Sequence, residues 1–224
     1  MKRLPIYFLV DTSVEMLGHP VEALKNGLQV MLSSFRQNPQ LVESGVLSIN
    51  NLSESNYKIN PLIEVSKYEL DDLQSSRFCF LGKSLSLLIE DIDKNVMKTT
   101  LEKKGDWKPL VFVLLASEPK DDYLNIVNEL KKVKQRTIVI LIGNKVSIET
   151  ANAIADNVVH MDDVDSSQIN KFFAWSSGVV VSSELSTFKE DIEMINLKKE
   201  MNKLNTVFDD FLLPPPPLTL ENPI

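Results

Sequence analysis

Several residue types are scarce in this 224-residue chain, and each scarcity excludes a class of function. The single cysteine, Cys79, has no partner for an internal disulfide, so a reducing compartment is expected. The seven glycines form no glycine-rich phosphate loop, which argues against nucleotide binding. The two histidines, His19 and His160, show no sequence partners for a catalytic dyad. We therefore expect a protein that is not an enzyme.

Long apolar runs and basic stripes are also missing from the sequence. The apolar stretch at the start stops at Asp11, which is too short for a secretory signal or a membrane span, so we interpret the chain as cytoplasmic. The chain has 24 basic and 31 acidic residues, which gives a formal net charge of −7. This balance disfavours nucleic acid and membrane partners, because both require clustered positive charge.

The sequence does contain an alternation of apolar runs and amphipathic stretches. The runs are typical of strands buried on both faces and lie at 6–10, 109–115, 137–142 and 158–159. The stretches predict helices at 20–38, 82–102, 121–134, 148–155 and 167–175. Two extended segments, 43–50 and 57–65, predict an antiparallel hairpin. The expected fold is α/β, a three-layer α/β/α sandwich whose doubly wound, mostly parallel sheet has one antiparallel edge strand.

The pattern changes near residue 180 and divides the chain into a domain and an extension. Residues 1–180 hold the α/β alternation, 181–211 have the apolar spacing of a helical extension, and 212–224 form a Pro-rich tail. The extension is either a helix folded back on the domain or a ligand for another protein. In the second case Leu218 and Leu220 are the apolar anchors of the tail.

Polar residues follow the first apolar run at alternate positions. Asp11, Ser13 and Glu15 stand where an open α/β sheet gathers its ligands, outside the carboxyl ends of its strands. Their oxygens suit a hard cation such as Mg²⁺. The alternative is that Asp11 and Ser13 fix the loop by hydrogen bonds to backbone N–H groups. Glu118 follows the 109–115 run in the same way.

The segment Leu-Pro-Ile-Tyr-Phe-Leu-Val-Asp-Thr-Ser at 4–13, followed by Gly18 and Pro20, resembles the start of a von Willebrand factor A domain. Segments 104–112, 118–122 and 172–176 are similar to the bacterial TerY-type proteins linked to tellurium resistance. The resemblance covers residues 1–180. It implies a protein kinase and a protein phosphatase as partner classes and a role in tellurite or other chemical stress.

The same resemblance implies a metal-ion-dependent adhesion site, from which this chain departs. Asp11 and Ser13 match the family pattern, but Glu15, Cys79 and Ala116 stand where a serine, a threonine and an aspartate are usual. A thiol is a poor ligand for a hard cation, and alanine offers no ligand. We expect no cofactor and a vestigial metal site at Asp11, Ser13 and Glu15. The alternative is a rearranged Mg²⁺ site in which Glu15 restores coordination.

The expected function is therefore a non-catalytic adaptor that binds a partner protein at the carboxyl-end loops without a metal. The candidate partner-binding residues are Asp11, Ser13, Glu15, Cys79, Glu118, Leu218 and Leu220. Cys79 lies between two phenylalanines and is expected to be a small buried hydrophobe rather than a nucleophile. An enzyme that uses Glu15 or Glu118 as an acid or base is the other alternative, although no acid/base constellation supports it.

Overall fold

The computed structural model describes residues 2–133, 135–155, 157–161 and 172–173. Six strands in these ranges form one sheet. The strands lie in the order β3-β2-β1-β4-β5-β6. They are β1 (Leu4–Val10), β2 (Gly45–Asn51), β3 (Ile63–Glu64), β4 (Leu110–Leu115), β5 (Arg136–Ile142) and β6 (Asn157–Met161). Only β3 runs antiparallel, against the edge of β2. The predicted mostly parallel sheet with one antiparallel edge strand is confirmed.

Helices cover both faces of this sheet, which explains why its central strands are apolar along their whole length. Helix α1 (His19–Gln37) packs its buried face on one side, where the rings of Phe8 and Phe112 stack with centroids 4.6 Å apart. The opposite face packs against α3 (Leu81–Asn95), α4 (Leu124–Leu130) and α5 (Ile148–Ile154). The two apolar cores and the sheet between them give the expected three-layer sandwich.

The structure corrects three local predictions. A short helix, α2 (Pro39–Ser44), occupies the start of the segment that was predicted to be extended, because the Asn38 side chain accepts hydrogen bonds from the N–H groups of Gln40 and Leu41. Helix α3 ends at Asn95 rather than near 102, and α4 spans only Leu124–Leu130 of the predicted 121–134. Beyond α3 the Met97 N–H bonds to the Asp106 side chain instead of to a helical carbonyl.

The predictions for the C-terminal part lie outside the described residues. They comprise most of the 167–175 helix, the helical extension at 181–211 and the Pro-rich tail at 212–224. Phe172 and Phe173 are described; both are buried, and the Phe173 ring lies 6.2 Å from that of Phe8. No helix within the described ranges is both long and apolar enough to cross a bilayer.

Candidate functional site

The strand order reverses between β1 and β4, and the carboxyl ends of these two strands define the candidate site. From β1 the chain continues to β2 on one side, whereas β4 leads to β5 and β6 on the other. The connections therefore leave in opposite directions and open a crevice between the two strand ends, which is where α/β sheets bind their ligands. Asp11 follows β1 and Ala116 follows β4, so both residues lie at this crevice.

Asp11 is fully buried, and its carboxylate accepts four hydrogen bonds. Oδ1 accepts the N–H of Ser13 at 2.8 Å, which closes the loop after β1. Oδ2 accepts the N–H groups of Ala116 and Ser117 at 3.0 and 2.9 Å and the Ser117 hydroxyl at 2.8 Å. Ser13 Oγ lies 2.9 Å from Ser117 Oγ. One buried side chain therefore connects the loops that follow β1 and β4.

The loop that precedes α3 is attached to the same crevice. The Thr12 hydroxyl donates to the Gln74 carbonyl at 2.9 Å, and the Ser76 N–H donates to the Thr12 carbonyl at 2.9 Å. Further along, the Cys79 carbonyl accepts the Lys120 N–H at 2.9 Å. Three carboxyl-end loops are thus linked to one another by direct hydrogen bonds, most of them through backbone groups.

Cys79 lies inside this crevice with its side chain buried. Burial raises the pKa of its thiol far above the ordinary value, and the nearby carboxylates of Asp11, Asp121 and Glu118 raise it further. The thiol therefore stays neutral at physiological pH, and a neutral thiol is a weak nucleophile and a weak metal ligand. This placement agrees with the expected small buried hydrophobe and does not expose Cys79 to a partner.

The Glu118 carboxylate is held by hydrogen bonds from the start of helix α5. Its Oε1 accepts the Ser147 N–H at 2.6 Å, and its Oε2 accepts the Thr150 hydroxyl at 3.0 Å. Ser147 is the N-cap of α5, and its own Oγ accepts the Thr150 N–H. Glu118 therefore supports the first turn of α5, where a negative charge also favours the helix dipole.

The exposed part of the crevice lies on the 3₁₀ helix Val14–Met16 and the loop before α3. Val14 and Leu17 are 50% and 52% exposed and Phe78 is 37% exposed, and Glu15, which lies between Val14 and Leu17 in sequence, is exposed as well. We call Val14, Glu15, Leu17 and Phe78 the carboxyl-edge surface. The Arg77 guanidinium carbon lies 5.1 Å from the centroid of the Phe78 ring, so a cation covers part of this aromatic side chain.

The side chains that the family resemblance places at the crevice are a poor set of ligands for a hard divalent cation. The Asp11 oxygens already accept hydrogen bonds from four protein donors, the Ala116 side chain offers no ligand, and Cys79 presents a neutral thiol. Mg²⁺ requires near-octahedral coordination by oxygen, but Ala116 and Cys79 have no side-chain oxygen, and Asp11 Oδ2 already accepts three hydrogen bonds. Within the described ranges, His, Cys, Asp and Glu side chains form no cluster of three suited to a metal ion.

The predicted site residues thus separate into distinct roles. Asp11 and Ser13 lie together in the crevice, and Glu15 is exposed at its rim. Cys79 is buried, and Glu118 accepts hydrogen bonds from the first turn of α5. Leu218 and Leu220 lie outside the described residues. Sequence reasoning missed Ser117, whose only sequence signal is that it is a polar residue two positions after an apolar strand.

Comparison with known proteins identifies the fold. No protein-family model and no curated protein matches the sequence. Solved structures do match, among them proximal thread matrix protein 1 from the mussel byssus, with a TM-score of 0.55 and 12% identity over 77% of this chain and 46% of that one. The ArnB paralog VWA2 from Sulfolobus acidocaldarius matches with a TM-score of 0.55 and 18% identity over 78% and 45%. The pilus adhesin SpaC from Lactobacillus rhamnosus GG matches with a TM-score of 0.56 and 11% identity over 81% and 30%.

These similarities define a class of structure. The chain has the fold of a von Willebrand factor A domain, an α/β sandwich whose neighbours include adhesion and matrix proteins. It spans less than half the length of each of these three proteins. One structure of the mussel protein has a zinc-occupied MIDAS motif, the metal-ion-dependent adhesion site of that protein.

Proposed function

We propose that the protein is a non-catalytic adaptor that binds a partner protein at the carboxyl-edge surface without a bridging metal ion. The observation that supports this most directly is the set of hydrogen bonds that the Asp11 carboxylate accepts. Its two oxygens accept four hydrogen bonds from the chain itself, so the loops are joined without a cation. A cation that bound Oδ2 would have to displace bonds from the Ala116 and Ser117 N–H groups, at a cost of about 1–3 kcal/mol for each group left unpaired.

The carboxyl-edge surface has the composition of a small docking site. Val14, Leu17 and Phe78 are exposed apolar side chains, and Glu15 adds one exposed carboxylate. Exposed apolar side chains gathered at one edge mark interaction sites, and a partly exposed aromatic residue is a frequent source of binding energy. Because hydrogen bonds already join the carboxyl-end loops, docking of a partner would require little further ordering of their backbone.

Catalysis has little support from the same residues. Both carboxylate oxygens of Glu118 accept hydrogen bonds from the first turn of α5, which favours a structural role. The pKa of the Cys79 thiol is raised by burial, which disfavours the thiolate that a nucleophile requires. Among the described residues, no hydrogen bond joins the Glu15 side chain to a second acid, a base or a nucleophile.

The assignment of a cellular system and a partner class rests on the resemblance to TerY-type proteins in segments 4–13, 104–112 and 118–122. On that basis we place the adaptor in a bacterial stress-response system associated with tellurite resistance, with a protein kinase or phosphatase as the partner class. The single reduced cysteine suits a cytoplasmic setting. The adhesion and matrix neighbours favour binding to proteins in general.

The test is affinity purification of the full chain from cells that produce it, in parallel with EDTA and with Mg²⁺. Glu15→Lys and Phe78→Ala are the test variants, and Val30→Ala, at an exposed position of α1, is the matched control. A kinase, phosphatase or other protein retained in EDTA and lost with Phe78→Ala supports the proposal. A partner that requires Mg²⁺ instead supports a metal-dependent binding module, and retention by both test variants excludes this surface.

A further inference from the structure

We propose that the loop 96–108, at the opposite end of the sheet, is a second docking element that binds an acidic protein surface with an apolar pocket. This loop enters β4 at its amino end, so it lies across the sheet from the carboxyl-edge surface. We call residues 96–108 the amino-edge loop. Its use of a different end of the sheet makes the inference independent of the proposed function.

The amino-edge loop is fixed at its base by Asp106. The Asp106 side chain is fully buried and accepts the Arg3 N–H at 3.3 Å, the Arg3 Nε–H at 3.1 Å, the Arg3 Nη2–H at 2.6 Å and the Met97 N–H at 2.9 Å. The Asp106 N–H donates back to the Met97 carbonyl at 2.8 Å. The two ends of the loop are therefore tied both to each other and to the start of β1.

Internal hydrogen bonds also hold the outer part of the loop. The Lys103 N–H donates to Thr100 Oγ1 at 3.1 Å, and the Thr100 N–H donates to the Lys103 carbonyl at 2.9 Å. The Gly105 N–H donates to Thr99 Oγ1 at 3.0 Å, and any side chain at Gly105 would collide with the backbone of Met97. A loop built in this way presents its tip in one conformation, which lowers the entropy cost of binding.

The tip that this framework presents is an isolated apolar side chain among lysines. Leu101 is fully exposed. Residues 96–108 contain four lysines, Lys98, Lys103, Lys104 and Lys108, against two acidic residues, Glu102 and the buried Asp106. Lys103 and Lys104 form no ion pair with any residue that the structure describes.

The neighbouring connection adds to the positive charge of this end. Lys131 and Lys132 are exposed and lie a few residues before β5, whose first residue, Arg136, is in register with Leu110 at the start of β4. The parallel pairing of β4 and β5 places Lys131 and Lys132 at the same end of the sheet as Lys103 and Lys104, whereas Lys98 is paired with Asp93. On a chain with a net charge of −7, a local positive surface selects an acidic partner by charge complementarity.

The chemistry favours an acidic protein over a nucleic acid. The positive region is short, and the strong net negative charge of the chain opposes a long polyphosphate. Leu101 adds an apolar anchor that a phosphate backbone would not use, whereas an acidic protein groove with an apolar pocket matches both the leucine and its lysines.

The experiment measures binding of fluorescent poly-glutamate, a glutamate–tyrosine random copolymer and heparin to the full chain at low and high salt. Lys103→Glu/Lys104→Glu is the test variant. Lys58→Glu/Lys145→Glu is the control, because it makes the same charge change at exposed positions in the loops that follow β2 and β5. Leu101→Ser tests the anchor. Urea unfolding of every variant checks that the fold is retained.

We expect the copolymer to bind more tightly than poly-glutamate. Reversal of Lys103 and Lys104 should weaken both by about tenfold at low salt, against less than about twofold for the control. Leu101→Ser should remove the preference for the copolymer and leave poly-glutamate binding unchanged. Equal losses in the test and control variants, no binding of either acidic polymer, or tighter binding of heparin than of the copolymer would overturn the proposal.

Discussion

Asp11 and Ser117 are joined by two hydrogen bonds to one oxygen: Asp11 Oδ2 accepts the Ser117 N–H at 2.9 Å and the Ser117 hydroxyl at 2.8 Å. These residues lie 106 positions apart in sequence, at the ends of the two central strands β1 and β4. The pair fixes the distance between the two loops at the point where the sheet would bind a ligand. In this chain the N–H groups of Ala116 and Ser117 and the Ser117 hydroxyl connect the two loops by donating to Asp11.

The stability of the crevice should depend strongly on the Asp11 carboxylate. Asp11→Ala leaves the N–H groups of Ser13, Ala116 and Ser117 without their acceptor, and we expect a loss of about 3 kcal/mol in the free energy of unfolding. Ser117→Ala removes a single hydroxyl and should cost about 1 kcal/mol. Urea unfolding at neutral pH measures both. Equal losses for the two variants would show that the backbone donors do not need Asp11.

Glu15 and Glu118 should behave differently when each is replaced by alanine. Glu118→Ala removes the acceptor for Ser147 and Thr150 at the start of α5, so we expect a loss of about 1 kcal/mol in unfolding free energy. Glu15 is exposed, and Glu15→Ala should leave stability within about 0.5 kcal/mol while it weakens partner binding. Thermal unfolding and partner titration separate the two effects. A destabilised Glu15→Ala would mean that this residue supports the loop.

The Arg3–Asp106 pair should add a pH-dependent contribution to stability. Burial disfavours the charged carboxylate, but the hydrogen bonds from Arg3 and Met97 outweigh it and hold the pKa of Asp106 below its ordinary value. The stabilisation is therefore complete above about pH 4 and is lost as pH falls through the lower folded-state pKa. Asp106→Asn should cost about 2 kcal/mol at neutral pH, with a difference from wild type that shrinks in acid. A difference independent of pH would contradict this origin.

Supplying the oxygen ligands that the family resemblance implies should create a Mg²⁺ site at the crevice. The triple variant Glu15→Ser/Cys79→Thr/Ala116→Asp supplies the residue types that the family resemblance implies, and all three positions belong to the carboxyl-end loops. We expect Mg²⁺ to raise the melting temperature of the triple variant and EDTA to reverse the effect, because a ligand bound only to the folded state stabilises it. Cys79→Thr alone is the control and should show no response. A response by that single variant would mean that the thiol alone had blocked the site.

The fold was predictable because its strands are buried on both faces. Residues 110–115 are all buried, and such a wholly apolar run followed by an amphipathic stretch leaves few alternatives to a parallel α/β sheet. Helix ends were less predictable. The apolar spacing of α3 continues to Val96, but the chain leaves the helix because Asp106, more than ten residues later in sequence, accepts the Met97 N–H.

The candidate site was predictable in position but not in its bonding. Asp11 was evident as the carboxylate after the first apolar run, and the departures at Cys79 and Ala116 indicated a weakened metal site. The use of Glu118 in capping α5 depends on a contact with Ser147, 29 residues away, that no local pattern encodes. The amino-edge loop that exposes Leu101 is likewise tied at its base by a long-range contact, that between Arg3 and Asp106.

Calorimetric titration of the full chain with Mg²⁺, Mn²⁺ and Zn²⁺, repeated on Asp11→Asn, tests the central claim most directly. Because the Asp11 oxygens are engaged by four protein donors, we predict no stoichiometric heat of binding at the crevice and identical traces for the wild type and the variant. Tight binding at a ratio of one ion per chain that Asp11→Asn abolishes would contradict the account and identify a working metal site.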